Sequence, residues 1–447
     1  MSKEAAILIG SVLITAGVTG GGFWWLSRQV GGTAAISQGE TLILTTDRNP
    51  NKERAAAAVA QGQYPQAIAA WEASLQQNPN DPEAVIFANN ARLAGGVIPT
   101  LAVVVPATTA TTAARELLRG VAQAQQELNA NSRLPFRVAI ANDENKPDLA
   151  KAVAAQLVQD STVLGVIGHF GSEASLAAAP IYTQAQLPMI SATSTSTQLS
   201  TAGSAVLRTV PSDRFTAEAL ARYALNTLKR RRALVLFNAD SAYSQSLKTE
   251  FTTALAASGG QALGEINLAA PDFQGSAVPA QAQRLGADFL VLLPNTATLE
   301  PALTAAIANA QGPRLPVVGG DSVYNPKTLE IGGAAARDLV VAVPWHIDAD
   351  PTARFVESSR RQWRGDVNWR TALAYDAVQA WHTALGLTLP PTRSGLVATL
   401  RTPGFQAVGA TGLVRFLPSG DRNRPMQLVR VVPGNRSGFG FDFVPVP

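Results

Sequence analysis

The stretch Val166–Ser200, VIGHFGSEASLAAAPIYTQAQLPMISATSTSTQLS, decides the fold. It begins inside VLGVIG (163–168), an apolar run as short and unbroken as a strand covered on both faces should be. Gly171-Ser172 then opens a helical pattern, and PMIS starts a second strand that runs out into Ala192-Thr193-Ser194-Thr195-Ser196-Thr197. Strand, helix and strand in that order form a parallel unit with a helical crossover. In open α/β sheets ligands sit beyond the carboxyl ends of the strands, and both the 171–172 turn and the hydroxyl run emerge there. Ser172 is placed to cap its helix beside free N–H groups, and a helix N-terminus with a hydroxyl suits a carboxylate. The uncharged hydroxyls of Thr193, Ser194 and Thr195 offer donors and acceptors to a zwitterion. Structural readings stand beside these: Ser172 as a cap only, the Ser/Thr run as a solvated loop. Pro180 interrupts the pattern, so the helix is expected to be established only from about residue 180.

The same alternation extends in both directions. TLAVVVP (100–106) and FRVAIAND (136–143) are strand-like, with helical patterns at 113–128 and 147–160. After Pro211-Ser212-Asp213 the series restarts: a helix at 214–228, ALVLFN (233–238), a helix at 243–257, a strand near 262–266, DFLVLLP (288–294), a helix at 296–310 and LPVVGG (315–320). Two such series predict an α/β protein of two doubly wound parallel-sheet lobes joined by a hinge. Beyond Arg337 come the strand LVVAVPW, helices at 352–364, 370–386 and 394–400, and a tail in which GLVRFLPSGD and MQLVRVVP read as a hairpin turning at Pro418-Ser419-Gly420-Asp421. The expected division is 98–212 with about 344–410 in the first lobe, and 213–343 with about 411–447 in the second.

Ahead of the lobes the composition changes twice. Ala5–Leu26, AAILIGSVLITAGVTGGGFWWL, carries no charge over 22 residues, enough to cross a hydrocarbon layer of about 30 Å. Bulky Phe23-Trp24-Trp25 stands where a signal peptide would need small residues. An uncleaved signal anchor within residues 1–30 is therefore expected; Lys3 and Arg28 flank it evenly and leave its direction open. Residues 31–52 read as a polar linker. In 53–95, Ala58, Gly62, Tyr64, Ala67, Ile68, Trp71, Leu75 and Pro79 resemble one tetratricopeptide repeat, expected to serve as a helical spacer.

Composition removes several classes of function. Among 447 residues, 46% are hydrophobic, 15% charged, and the net charge is +4, which suits a chain with large cores. Without cysteine there are no disulfides, thiolate nucleophiles or cysteine-held zinc. The three histidines lack metal-ligand spacing, so no metal and no cofactor are expected. Lys229-Arg230-Arg231-Arg232 has no interleaved aromatics and reads as a solvated helix end, so no nucleic acid is expected.

The order of these elements, with Val166–Ser200, LRTVPSD (207–213), NADSAYSQS (238–246) and VVGGDSVYNP (317–326), resembles the type I periplasmic binding proteins of the leucine/isoleucine/valine family. That resemblance implies a non-enzymatic, monomeric receptor for an amino acid or amide-like ligand, feeding an ABC permease. It further implies a bacterial inner-membrane protein, single-pass, with its binding domain in the periplasm. By the resemblance, Gly171, Ser172, Thr193, Ser194 and Thr195 take the carboxylate side, Tyr243 covers the ligand and Asp321 pairs with its ammonium. Read alone, Tyr243 could be a core aromatic and Asp321 a turn residue. The side-chain pocket departs from the family: Thr108–Ala113 replaces an aromatic, Gly171 a larger residue, and Asn295 stands where an aromatic would reach the ligand. Two rivals remain, a sensing or protein-binding receptor without transport and a two-lobed nucleotide-sugar enzyme. The second lacks a phosphate-binding glycine loop, since Gly319-Gly320-Asp321 is too short, and has no evident acid/base pair.

Overall fold

Short apolar strands alternating with helices build two sheets in the computed structural model, which describes residues 35–93 and 95–446. A strand β1 (Ala35–Ser37) precedes three helices, α1 (Pro50–Ala60), α2 (Tyr64–Gln77) and α3 (Pro82–Arg92). Next come β2 (Thr100–Val105), α4 (Thr111–Asn131), β3 (Arg137–Asn142), α5 (Pro147–Gln159), β4 (Val163–Ile167), α6 (Ser172–Gln184), β5 (Met189–Ser191) and β6 (Val206–Arg208). These strands form the first sheet, ordered β1-β3-β2-β4-β5-β6 and parallel from β3 to β6.

The second sheet is assembled from α7 (Asp213–Arg222), β7 (Arg232–Phe237), α8 (Ala242–Ala257), β8 (Gln261–Asn267), α9 (Val278–Leu285), β9 (Phe289–Leu293), α10 (Leu299–Gln311), β10 (Val317–Gly319), α11 (Pro326–Gly332) and β11 (Val340–Val343). The chain then returns to the first lobe as α12 (Arg354–Trp363), α13 (Trp369–Leu387), α14 (Arg393–Leu400) and a small hairpin, β12 (Ala407–Gly409) with β13 (Gly412–Val414). It finishes on the second sheet with β14 (Gln427–Pro433) and β15 (Phe441–Pro445), giving the order β15-β14-β11-β10-β9-β7-β8. β8 to β11 are parallel, and β14 and β15 add antiparallel edges. Strands β2 and β9 are buried along their whole length, as strands with helices on both faces must be. The chain passes between lobes near residues 209–213, 344–350 and 423–426. A triple connection of this kind permits hinge motion while keeping both sheet edges aimed at one cleft.

Several expectations need correction. The segment 53–95, expected as a helical spacer, is built into the first lobe: α3 is buried from Pro82 to Ala91 and packs on α4 and β3. Asn90 pairs with β3 as a strand would, donating to Val138 O at 2.7 Å and accepting from Val138 N at 2.9 Å. Nor is 31–52 linker throughout. β1 joins the first sheet, and Ile43 and Leu44 are buried, their N–H groups donating to Glu83 Oε1 at 2.6 and 2.9 Å. A polar composition conceals two anchoring residues there. α6 is continuous from Ser172 through Pro180, because only one backbone bond is forgone at the proline. The tail does turn at 418–421, closed by a Phe416–Arg422 bridge, but β13 pairs with β12, and β14 pairs with β11 and β15. Residues 411–422, expected in the second lobe, are held by the first: Thr411 and Arg422 bond to Asp376 of α13, and Asp421 to Arg208 at 2.6 Å. The anchor expected at 5–26 lies outside the described residues. No helix among the described residues is long and apolar enough to cross a membrane.

Candidate functional site

A cavity of about 290 Å³ lies between the lobes, walled by the carboxyl-end loops of both sheets. On the first lobe its wall is the β4–α6 turn. Gly171, extended at φ −92° and ψ 153°, is the N-cap of α6, and no side chain caps this helix. The expectation that Ser172 is the cap is corrected: it is the first helical residue, and its Oγ accepts from Ser196 N at 3.3 Å. The first N–H groups of a helix have no intrahelical acceptor. Here they lie at the cavity wall, where Gly171, Ser172 and Glu173 line the space. A Cβ at Gly171 would collide with the Asn145 amide, so glycine lets Asn145 stand at the same wall.

The hydroxyl run divides its work. Thr193 lines the cavity and donates to Phe170 O at 2.8 Å. Ser194 does not reach the wall; its Oγ is 2.7 Å from Ser175 Oγ and donates to His169 O at 3.1 Å, so it braces the β4–α6 turn. Thr195 is buried and outside the cavity lining, its hydroxyl near Asp213, and its carbonyl accepts from Asp213 N at 2.8 Å. Arg208 holds the loop from behind by donating to Ser196 O at 2.7 Å. His169, read from sequence only as lacking metal spacing, lies buried between Asp143 (2.6 Å) and Tyr182 (3.0 Å). That arrangement pins the turn from beneath, outside the lining of this cavity.

The second lobe contributes the opposite wall. Asp321 follows β10 and is 3% exposed; Tyr243, in the first turn of α8, donates to its Oδ1 at 2.5 Å. Gly320 makes this meeting possible, since a Cβ there would lie 2.6 Å from Leu247 Cδ2 and 2.9 Å from Tyr243 Oη. Burial raises the Asp321 carboxyl above the usual range, partly offset by the Tyr243 hydroxyl and the Arg370 charge. Burial, then the Asp321 charge, raises Tyr243 well above an ordinary phenol, so it remains a neutral donor. Asn295 lines the cavity and accepts from Thr298 N at 3.2 Å.

Three contributors escaped the sequence reading. Trp369 and Arg370, in the first turn of α13, line the cavity with the guanidinium over the indole ring at 4.2 Å. Asp213 is fully buried at the start of α7, its carboxylate oxygens without hydrogen-bond partners although the Ser246 and Thr195 hydroxyls lie nearby. A cation in the first turn of a helix, where it opposes the dipole, is the signal that could have singled out Arg370. The lobes also touch across the cleft, Thr197 N donating to Ser246 Oγ at 3.0 Å and Arg370 Nη1 to Tyr324 O at 3.4 Å.

This arrangement, two α/β lobes closing carboxyl edge to carboxyl edge on one small polar cavity, coincides with a match of the periplasmic binding protein family model over residues 99–437. The chain belongs to that family. This binding protein is 26% identical over 297 residues to the leucine-specific-binding protein of Salmonella typhimurium, covering 65% of this chain and 79% of that one. It is 24% identical over 271 residues to the Leu/Ile/Val-binding protein of Escherichia coli K12, covering 58% and 72%. The crystal structure of a leucine-binding protein from Thermotoga maritima superposes with a TM-score of 0.68 at 23% identity, covering 78% of this chain and 98% of that one. A solute-binding protein from Rhodopseudomonas palustris, solved with 3,4-dihydroxybenzoic acid, gives a TM-score of 0.67 at 18% identity, covering 78% and 97%. The family model starts at residue 99 and lends no support to a tetratricopeptide repeat or a membrane anchor.

Asp213 makes a pH prediction. Burial raises its carboxyl from the ordinary aspartate range to about 7. The folded state therefore binds a proton more readily than the unfolded one, and this group's contribution to stability is lost as pH rises from about 4 through about 7. Between pH 5 and pH 8 the ligand-free protein should lose several degrees of Tm that Asp213→Asn does not lose. Parallel melting curves for the two proteins would reject a buried, neutral Asp213.

Proposed function

We propose that this binding protein is an extracytoplasmic receptor for an amino acid, delivering it to an ABC importer. The observation that carries the reading is the polarity of the cavity: an uncapped helix N-terminus with Gly171 and Ser172 on one wall, and the buried Asp321–Tyr243 pair on the other. The α-carboxylate meets the N–H groups and partial positive charge of α6, with the Thr193 hydroxyl alongside. The ammonium meets Asp321, and Tyr243 fixes that carboxylate and covers the ligand. Ser194 supports this wall from within the loop. A cavity of about 290 Å³ is at the small end of the roughly 300–1,000 Å³ range for ligand sites, which suits an amino acid. Ligand contacts made to both walls at once exist only when the lobes close, so differential affinity drives closure.

Named relatives agree with the class, being leucine-specific, Leu/Ile/Val and amino acid binding proteins, and none is named as an enzyme. The R. palustris structures were solved with 3,4-dihydroxybenzoic acid and 4-hydroxybenzoate, and an aromatic acid is the second reading, favoured by Trp369 at the wall. Aromatic acids lack an amine and would leave Asp321 unpaired. Titration calorimetry with L-amino acids and 4-hydroxybenzoate separates the two. Binding of the benzoate with no response to any amino acid would overturn the amino acid reading.

The apolar stretch 5–26 supports a further part of the proposal, a signal anchor that holds the receptor at the inner membrane with its lobes in the periplasm. Carbonate extraction of membranes should leave the protein in the pellet, whereas a variant with residues 5–26 deleted should appear in the soluble fraction. Release of the full chain by carbonate would remove the anchor from the proposal.

A further inference from the structure

Arg370 is the buried charge the amino acid reading leaves unused. The residue is 8% exposed, sits in the first turn of α13 and lines the cavity. Its Nε has no hydrogen-bond partner, and among the described residues the only hydrogen bond of its side chain is the 3.4 Å contact from Nη1 to Tyr324 O. No carboxylate among the described residues lies within ion-pair distance of it. The two acidic groups whose fields reach it are already occupied. Asp321 accepts the Tyr243 hydroxyl at 2.5 Å. Glu116 is bonded to Arg119, to the Thr371 hydroxyl at 2.5 Å and to Asn368 N at 3.3 Å.

A helix N-terminus repels a cation, and desolvating an unpaired one is costly, so fold stability does not account for an arginine here. The guanidinium is instead preorganised: Trp369 stacks beneath it, the Asn368 cap fixes its backbone by accepting from Arg370 N at 2.9 Å, and its planar fork suits a carboxylate. An N–H fork with one weak backbone partner, opening on the cavity, has the geometry to receive a carboxylate.

We propose that the ligand carries a second carboxylate, on its side chain, which Arg370 binds, so that this receptor selects acidic amino acids of the glutamate and aspartate class over neutral ones. The inference rests on the amino acid reading above, which assigns the α-carboxylate to α6 and the ammonium to Asp321. Arg370 then places a buried cation on a wall that also carries Glu173 and Glu144, the latter paired with Lys146. The family-divergent residues agree with it. Beside the aromatic Phe170, Tyr243 and Trp369, this cavity offers the polar side chains of Asn145, Asn295 and Thr109. Lys327 at the rim already pairs with Glu300, which leaves Arg370 as the buried cation.

The test is titration calorimetry on the full chain in detergent, stripped of endogenous ligand, with L-glutamate, L-aspartate, L-leucine and glutarate as probes. One of the acidic amino acids should bind at least about thirtyfold tighter than leucine. Arg370→Met should weaken that acidic ligand about thirtyfold or more, and by at least about tenfold more than it changes leucine; Arg370→Lys should recover part of the loss. Leucine binding as tightly as both acidic amino acids overturns the inference and leaves the amino acid reading standing; that comparison needs only the unmodified protein and survives a variant that fails to fold. Unchanged acidic-ligand affinity in Arg370→Met overturns it in the same way. Glutarate binding as tightly as glutamate shows that no amine is read and overturns it through Asp321. No response to any amino acid overturns both proposals.

Discussion

Asp321→Ala is expected to weaken an amino acid ligand by more than about a hundredfold, the largest single effect on binding in this protein. The carboxylate is buried at 3% exposure, and Tyr243 orients it through a 2.5 Å hydrogen bond. An ammonium brought into this cavity loses its water and finds in Asp321 its compensating charge. Removing that charge strands the ligand's own cation, which costs more than the hydrogen bond alone. Asp321→Asn keeps the shape and an acceptor for Tyr243, so comparing the two variants separates charge from packing. Because burial raises this carboxyl, affinity should also fall on acidification at a higher pH than an exposed aspartate would give. Calorimetry with L-glutamate and L-leucine at neutral pH is the measurement. An affinity within threefold of the unmodified protein for whichever binds would remove Asp321 as the ammonium partner, though not the fold.

What could be read from the sequence followed from periodicity. Short apolar runs such as TLAVVVP and DFLVLLP, separated by helical patterns, specify doubly covered parallel strands, and β2 and β9 stand there fully buried. Residues at carboxyl ends of strands were legible for the same reason, so Gly171, Ser172, Thr193, Tyr243 and Asp321 line one cavity. Ser194 and Thr195 were not separable from Thr193, because a loop's hydroxyls face the wall or the interior according to its turn, which the run of serines and threonines does not encode. Arg370 was hidden for a different reason. It follows the chain's return to the first lobe, more than 100 residues after the hinge at 212, and only the packing of α13 on α4 brings it to the cleft. The tail shows the limit of local pairing rules: 418–421 is a real turn, yet β14 finds β11, whose apolar edge lies some 85 residues upstream. The helical segment was misread because its small-residue spacing describes how α1 and α2 approach each other and is silent about what α3 covers.

That segment carries the largest predicted effect on stability. Lys52 in α1 is fully buried, with Nζ 2.8 Å from Asp81 Oδ2 and 2.7 Å from Glu83 Oε2, the second contact an ion pair by distance rather than by hydrogen-bond angle. Asp81 also caps α3 through Ala84 N at 3.1 Å, and Glu83 Oε1 receives the N–H groups of Ile43 and Leu44. One lysine therefore ties α1, α3 and the incoming chain at 43–44 into a unit that packs on the first sheet. Burial alone would lower the Lys52 pKa, but Glu83 and Asp81 together raise it, so the charge is kept. Lys52→Met fits the same volume and leaves two carboxylates buried with no cation, a cost of about 3–5 kcal/mol. If α3 is part of the first lobe, as its burial and the Asn90 pairing with β3 indicate, that cost should appear in the unfolding of the binding domain itself. Urea unfolding followed by tryptophan fluorescence should show a lower midpoint in a single transition, and Lys52→Met/Asp81→Asn/Glu83→Gln should regain much of the loss by removing the stranded charges. A midpoint unmoved by Lys52→Met, or a separate early transition with the main one unchanged, would mean that α1–α3 fold independently of the lobes, and the spacer reading would return.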